Sequence, residues 1–116
     1  MKLSEHFDSG EFVCKCGCGA YVRPPQLLID GLERLRHAVG VPVVITSGTR
    51  CRRHNAAVGG VYNSLHLTGS AADISIPALS LDTCCLATRG RYVARLHAID
   101  EHARHCCHLD VKGLKP

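Results

Sequence analysis

The stretch Pro24-Pro25-Gln26-Leu27-Leu28-Ile29-Asp30-Gly31-Leu32-Glu33-Arg34-Leu35-Arg36-His37-Ala38-Val39-Gly40, continued by Val41-Pro42-Val43-Val44-Ile45-Thr46-Ser47-Gly48, decides the fold. Leu28, Leu32, Leu35 and Val39 recur at spacings of four, three and four, with proline ahead and glycine behind. That pattern predicts an amphipathic helix over 24–39 of roughly four turns. Gly31 inside it weakens the helix by about 1 kcal/mol relative to alanine. The β-branched run over 41–46, closed by Ser47-Gly48, predicts a short buried strand.

Working outward, residues 47–70 turn to glycine, serine, asparagine and arginine, with Gly59-Gly60 in the middle and one brief helical turn expected over 53–57. A loop of that length in a small domain is usually functional. Ala71-Ala72-Asp73-Ile74-Ser75-Ile76-Pro77 alternates like a strand with one wet face, stopped by proline. Residues 81–102 read as broadly helical with an interruption at Gly90, and 107–111 as a last short strand. The segments carry no internal repeat and no low-complexity linker. The expected architecture is α+β, a small antiparallel sheet with flanking helices, the 24–39 helix on one face and a cleft on the other.

The chain has 116 residues, 46% of them hydrophobic, which suits a single domain over 1–116 with one modest core. The net charge of +4 is mild, and the arginines are scattered without a basic recognition element, so no nucleic-acid partner is expected. No apolar run is long enough to span a membrane, and the amino terminus lacks the apolar stretch of a signal peptide. The expectation is a monomer made in the cytoplasm. Eight cysteines would suggest a secreted disulfide framework, but beside eight histidines and without an export signal, metal ligation competes.

His66 and Asp73 carry the chemistry. Seven residues apart, a loop histidine and a strand carboxylate can turn toward one point, with Gly69, Ala71 and Ala72 leaving room there. Far downstream, His108-Leu109-Asp110 supplies another histidine and another acid. Ser64-Leu65-His66-Leu67-Thr68-Gly69-Ser70-Ala71-Ala72-Asp73 fills every fixed place of Ser-x-His-x-x-Gly-x-Ala-x-Asp, and so resembles the M15 family of peptidoglycan peptidases, the zinc DD-peptidase and Hedgehog-like group. Ser47-Gly48-Thr49-Arg50, Asn55-Ala56-Ala57-Val58-Gly59-Gly60 and Phe12-Val13-Cys14-Lys15-Cys16-Gly17-Cys18-Gly19 extend the likeness over roughly residues 3–76.

The resemblance implies that His66, Asp73 and His108 bind one zinc ion and leave a position open, the arrangement of a catalytic site. Such an ion lowers the pKa of water toward about 7 and polarises a scissile carbonyl. The implied function is hydrolysis of a bond in the peptidoglycan stem peptide, either D-Ala-D-Ala carboxypeptidase or endopeptidase activity, as in a phage or prophage lysis enzyme. The alternative is a non-catalytic zinc module of the same fold that binds wall or a protein partner. Arg50 is expected to pair with a substrate carboxylate through its planar fork, and Ser64 either to contact substrate or to shape its turn. Many relatives carry Asp or Glu three residues before the last ligand, where His105 stands here. The general base is therefore open between Asp110, which could instead hold the last strand, and His105. An aromatic residue after Ser-Gly is replaced by Thr49, and the late tryptophan of many relatives is missing.

Cys14, Cys16, Cys18 and Cys51 could hold a second, structural zinc, form disulfides, or remain buried thiols. The vicinal pairs Cys84-Cys85 and Cys106-Cys107 are expected to pack rather than to close on themselves.

Overall fold

The computed structural model describes residues 1–115, the side chains of Thr83 and Cys84 excepted. In chain order its elements are α1 (Gln26–Val39), β1 (Val44–Ser47), α2 (Arg52–Ala57), β2 (Ala71–Ser75), α3 (Thr83–Tyr92), β3 (His97–Glu101) and β4 (Cys106–Asp110). Short 3-10 turns occupy Ser9–Phe12, Leu65–Thr68 and His102–Arg104. The fold is α+β: the four strands form one antiparallel sheet in the order β1-β2-β4-β3.

The predicted first helix is α1. Pro25 stands at its N-cap, and Gly40, at φ 69°, ends it by returning its N–H to the Arg36 carbonyl at 3.0 Å. Its buried stripe is Leu28, Ile29, Leu32 and Leu35, with Gly31 among them. Gly31 is a point of contact: a Cβ there would stand 2.6 Å from Leu96 Cδ1 and 2.9 Å from the Ala94 carbonyl oxygen. Arg34 reinforces the same junction through a 2.7 Å bond to that carbonyl. At the other side of α1, Glu33 accepts the His6 backbone N–H at 2.8 Å and pairs with the His6 ring at 2.7 Å, fastening the amino-terminal segment.

Strand alternation divides the sheet into two faces. Ala72 and Ile74 of β2 lie opposite Leu109 and Cys107 of β4, and Ala98 of β3 lies opposite Leu109. These side chains join Phe7, Phe12, Ile45, Leu86 and the α1 leucines in one core. The intervening residues, Asp73, His108, Asp110, His97, Ile99 and Glu101, share the other face. The 48–70 connection folds onto that face: Thr49 N–H bonds the Phe12 carbonyl at 2.9 Å, and Arg50 N–H the His66 carbonyl at 3.0 Å. Because β2 is covered on both sides, all its residues but Ser75 are buried, and no wet face exists there.

Two boundaries shift by simple chemistry. The strand expected over 41–46 begins at Val44, after Pro42, which has no N–H for a ladder. An irregular register then sets Ser47 opposite Asp73. The helix expected across 81–102 is corrected more deeply. It ends at Tyr92, Arg95 turns the chain at φ 58°, and residues 97–101 form β3 against β4. Gly90 lets the end of α3 touch the sheet, since a Cβ there would meet Leu109 Cδ2 at 2.5 Å. The reversal is imposed by this long-range pairing, which helical periodicity within 81–102 does not encode. Among the described residues, no helix is long and apolar enough to cross a membrane.

Candidate metal centre

Three side chains converge at the middle of the cleft face. His66 arrives on the 3-10 turn Leu65–Thr68, which Ser64 caps by accepting the His66 backbone N–H on its hydroxyl at 3.2 Å. Gly69, at φ 74°, reverses the chain into β2. Asp73 sits in β2 directly across from His108 in β4. His66 Nε2 and His108 Nδ1 each lie 3.1 Å from Asp73 Oδ1. His66 and Asp73 are buried, at 1% and 3% exposure, and His108 is 9% exposed, at the cleft side.

The outer atoms of each group are committed elsewhere. His66 Nδ1 stands 2.7 Å from the Gly48 carbonyl oxygen, and His108 Nε2 stands 2.7 Å from Asp110 Oδ2. A carbonyl and an ionised carboxylate own no proton, so each outer nitrogen is the donor and each inner nitrogen is left with its lone pair. Asp73 Oδ2 accepts from Arg50 Nη2 at 2.8 Å, which leaves Oδ1 to face inward. Two lone-pair nitrogens and one carboxylate oxygen thus meet with no donor among them. Such a cluster needs a cation at its centre, either a proton or a metal ion. Without a metal, the proton goes to His108: burial alone would lower its pKa, but Asp110 and Asp73 outweigh burial and raise it to about 9. For Asp73, burial would raise the pKa, yet the His108 and His66 rings hold its carboxyl well below the usual carboxylate range. This donor set, oriented from behind by a carbonyl, a carboxylate and a guanidinium, fits zinc with one position toward the cleft.

Arg50 lines the cleft and also has a task beyond the expected one. It is 4% exposed, and besides Asp73 it bonds Ser47 Oγ at 3.0 Å through Nε and Asn55 Oδ1 at 3.2 Å through Nη1. Asn55 is itself anchored to the Val61 carbonyl at 2.8 Å. The guanidinium therefore fixes the ligand carboxylate, and substrate can meet only the N–H groups left over. Ser64 shapes its turn, as one of its two expected uses required, and it also lines the cleft.

Asp110 is bound at every side. Its carboxylate accepts from His108 at 2.7 Å, from the Lys112 backbone N–H at 2.8 Å and from His97 Nδ1 at 3.0 Å. Burial would raise its pKa, but the His108 bond first, then Lys112 and His97, lower it to about 2. Its bonds orient the His108 and His97 rings. His105, the other candidate, is exposed in the turn before β4 and faces a separate depression with Ser75, Pro77 and His102.

The cleft above the centre has a volume of about 510 Å³. Its walls include two residues that the sequence reading passed over, His97 and Glu101, both placed there by the β3–β4 pairing. Glu101 is half-buried, and among the described residues no hydrogen bond or ion pair engages its carboxylate. It is an acid on the cleft wall, whereas His105 lines a separate depression. The signal that could have found it is the alternation His97-x-Ile99-x-Glu101, a strand pattern inside a segment read as helix. Arg104 and Lys112 add positive charge around the cleft.

The other cysteines divide by strand alternation. Cys106 and Cys107 are both buried and point to opposite faces of β4, so they pack separately. Burial pushes their thiols up to about 11 and about 12. Cys85 is exposed, while the Cys84 side chain lies outside the described residues. Cys14, Cys16, Cys18 and Cys51 gather at one point near the start of α2.

A zinc D-Ala-D-Ala carboxypeptidase of Streptomyces albus G is 41% identical to this chain over 61 residues, which cover 52% of the chain and 23% of that protein. The likeness spans less than a quarter of that relative's length. No solved structure matches the chain. The sequence model of the peptidase M15 family matches residues 5–110, nearly the whole chain, and the protein belongs to that family.

Proposed function

We propose that the chain is a zinc-dependent peptidase, acting as one domain, that cuts a peptide bond in the stem peptides of bacterial peptidoglycan. The observation that carries this reading is the convergence of His66 Nε2, His108 Nδ1 and Asp73 Oδ1 at the floor of an open cleft. A zinc ion there supplies Lewis acidity to the scissile carbonyl and acidifies a water molecule. The relative named as a zinc D-Ala-D-Ala carboxypeptidase supports both the metal and the substrate class.

The remaining roles belong to the chain's own side chains. Glu101 is the general base: its unengaged carboxylate accepts a proton from the attacking water and returns it to the leaving amine. His97 is held by Asp110 at Nδ1, and its Nε2 is the nitrogen left to meet substrate. Arg104 and Lys112, with the spare N–H groups of Arg50, favour an anionic peptide, such as one ending in a free carboxylate. That charge favours carboxypeptidase cleavage of a terminal D-Ala-D-Ala bond over cleavage within the stem. A released enzyme would act on the wall outside the membrane.

The test is mass spectrometry of synthetic stem peptides and of isolated muropeptides incubated with the protein, with a chelator, and with zinc restored. Loss of one terminal alanine, abolished by the chelator and by His66→Ala, is the expected result. Zinc binding without any cleavage would instead support a non-catalytic wall-binding module.

A further inference from the structure

We propose that Cys14, Cys16, Cys18 and Cys51 form a second, structural zinc site that clamps the amino-terminal segment to the Gly48–Cys51 connection supporting the His66–Asp73–His108 centre. The four sulfurs all lie within 4.8 Å of one another, with Cys14 Sγ to Cys16 Sγ at 3.5 Å and Cys16 Sγ to Cys51 Sγ at 3.7 Å. Zinc–sulfur bonds of about 2.3 Å in a tetrahedron give sulfur separations near 3.8 Å along each edge. These spacings match that figure, and four sulfurs satisfy the coordination of a closed structural site.

The backbone supports the same reading. Cys14 Sγ accepts the Cys51 N–H, Cys18 Sγ the Ala20 N–H and Cys51 Sγ the His54 N–H, each at 3.4 Å. Donors aimed at three of four sulfurs stabilise thiolate charge, the form that ligates metal. Residues 15–18 form a turn, and Gly17 and Gly19, at φ 87° and 80°, bend it so that Cys14, Cys16 and Cys18 present their sulfurs to the same point. A disulfide would use two sulfurs at about 2.05 Å and would not account for the other two gathered with them.

The site has a consequence for the first metal centre. Cys51 follows Arg50, which holds Asp73 Oδ2, and the Gly48 carbonyl that fixes the His66 tautomer lies three residues before Cys51. Thr49 N–H meets the Phe12 carbonyl at 2.9 Å, so the connection is already laid against the segment that leads into Cys14. An ion bound to Cys51 and the amino-terminal cysteines locks that contact.

The experiment is metal analysis of the purified full chain beside two variants, His66→Ala and the pair Cys16→Ser with Cys18→Ser. We expect two zinc ions per chain, falling to one in either variant. After cobalt substitution, the thiolate-to-cobalt charge-transfer band should persist in His66→Ala and vanish in the cysteine variant. Because the cysteine variant could fail to fold, zinc-edge X-ray absorption of the wild type gives a second reading, and sulfur scatterers near 2.3 Å are expected. One zinc that disappears in His66→Ala, an absorption spectrum with nitrogen and oxygen ligands alone, or disulfides among these four cysteines in a peptide map would each overturn the proposal. Peptidase activity enters none of these measurements, so failure of the functional reading would leave the result intact.

Discussion

Asp110→Asn should weaken zinc binding at the His66–Asp73–His108 centre by about 10- to 100-fold, or about 1.4–2.8 kcal/mol. The change adds no bulk and alters one oxygen. In the native site Asp110 Oδ2 receives the His108 Nε2–H at 2.7 Å, while Oδ1 receives both the Lys112 N–H at 2.8 Å and His97 Nδ1 at 3.0 Å. An asparagine offers one oxygen and one NH2. If the NH2 faces His108, two donors oppose each other, and relief comes from moving the imidazole proton to Nδ1. That proton then points at Asp73 Oδ1, 3.1 Å away, and occupies the position a metal needs. If the NH2 faces Lys112 instead, a buried backbone donor loses its acceptor, at about 1–3 kcal/mol. In either pose the charge-assisted bond to His108 becomes a neutral one, weaker by about half. The assay is competition for zinc against a chromophoric chelator, with the same titration of His66→Ala subtracted to remove metal bound elsewhere. Glu101→Gln serves as control, because Glu101 touches none of the ligands. A dissociation constant for Asp110→Asn within twofold of wild type would refute the orienting role.

Glu101→Gln should lower kcat/KM on a cleavable stem peptide by about 10²–10⁴-fold while zinc content stays unchanged, as expected on loss of a general base. His105→Ala should leave both zinc affinity and turnover at wild-type levels, since His105 faces away from the cleft. Gly31→Ala should lower Tm: the gain in helix propensity of about 1 kcal/mol is outweighed by forcing a Cβ to 2.6 Å from Leu96 and 2.9 Å from the fixed Ala94 carbonyl, an overpacking cost of about 1–3 kcal/mol. Glu33→Gln should cost about 1–2 kcal/mol at neutral pH, read from denaturant unfolding, by weakening the bonds to His6. Burial opposes ionisation of Glu33, yet the hydrogen bonds it receives lower its pKa overall. Its stabilisation is therefore present above the unfolded value of about 4.3 and fades as pH falls through the folded value, so wild type and Glu33→Gln should converge in acid.

The parts of the fold governed by local rules were legible in the sequence. Leu28, Leu32 and Leu35 announced α1, and proline and glycine marked its ends. Gly31, read as a weakness, proved to be the place where α1 meets the Ala94–Leu96 segment. His66 and Asp73 were legible because both lie in one short motif, and Asp73 and His108 then meet through the β2–β4 register. What escaped depends on pairing between distant segments. β3 became a strand because β4 was there to pair with it, and only that pairing carries His97 and Glu101 to the cleft. The second task of Arg50 escaped for a related reason: that a guanidinium on the cleft also holds a ligand carboxylate depends on Ser47, Asn55 and Asp73 surrounding it.

The most direct test of the central claim is a crystal structure of the zinc-loaded protein with diffraction data collected on both sides of the zinc absorption edge. The account predicts an anomalous peak bonded to His66 Nε2, Asp73 Oδ1 and His108 Nδ1, with the Gly48, Asp110 and Arg50 contacts preserved behind them. A zinc-loaded crystal with no peak among those three atoms would contradict it.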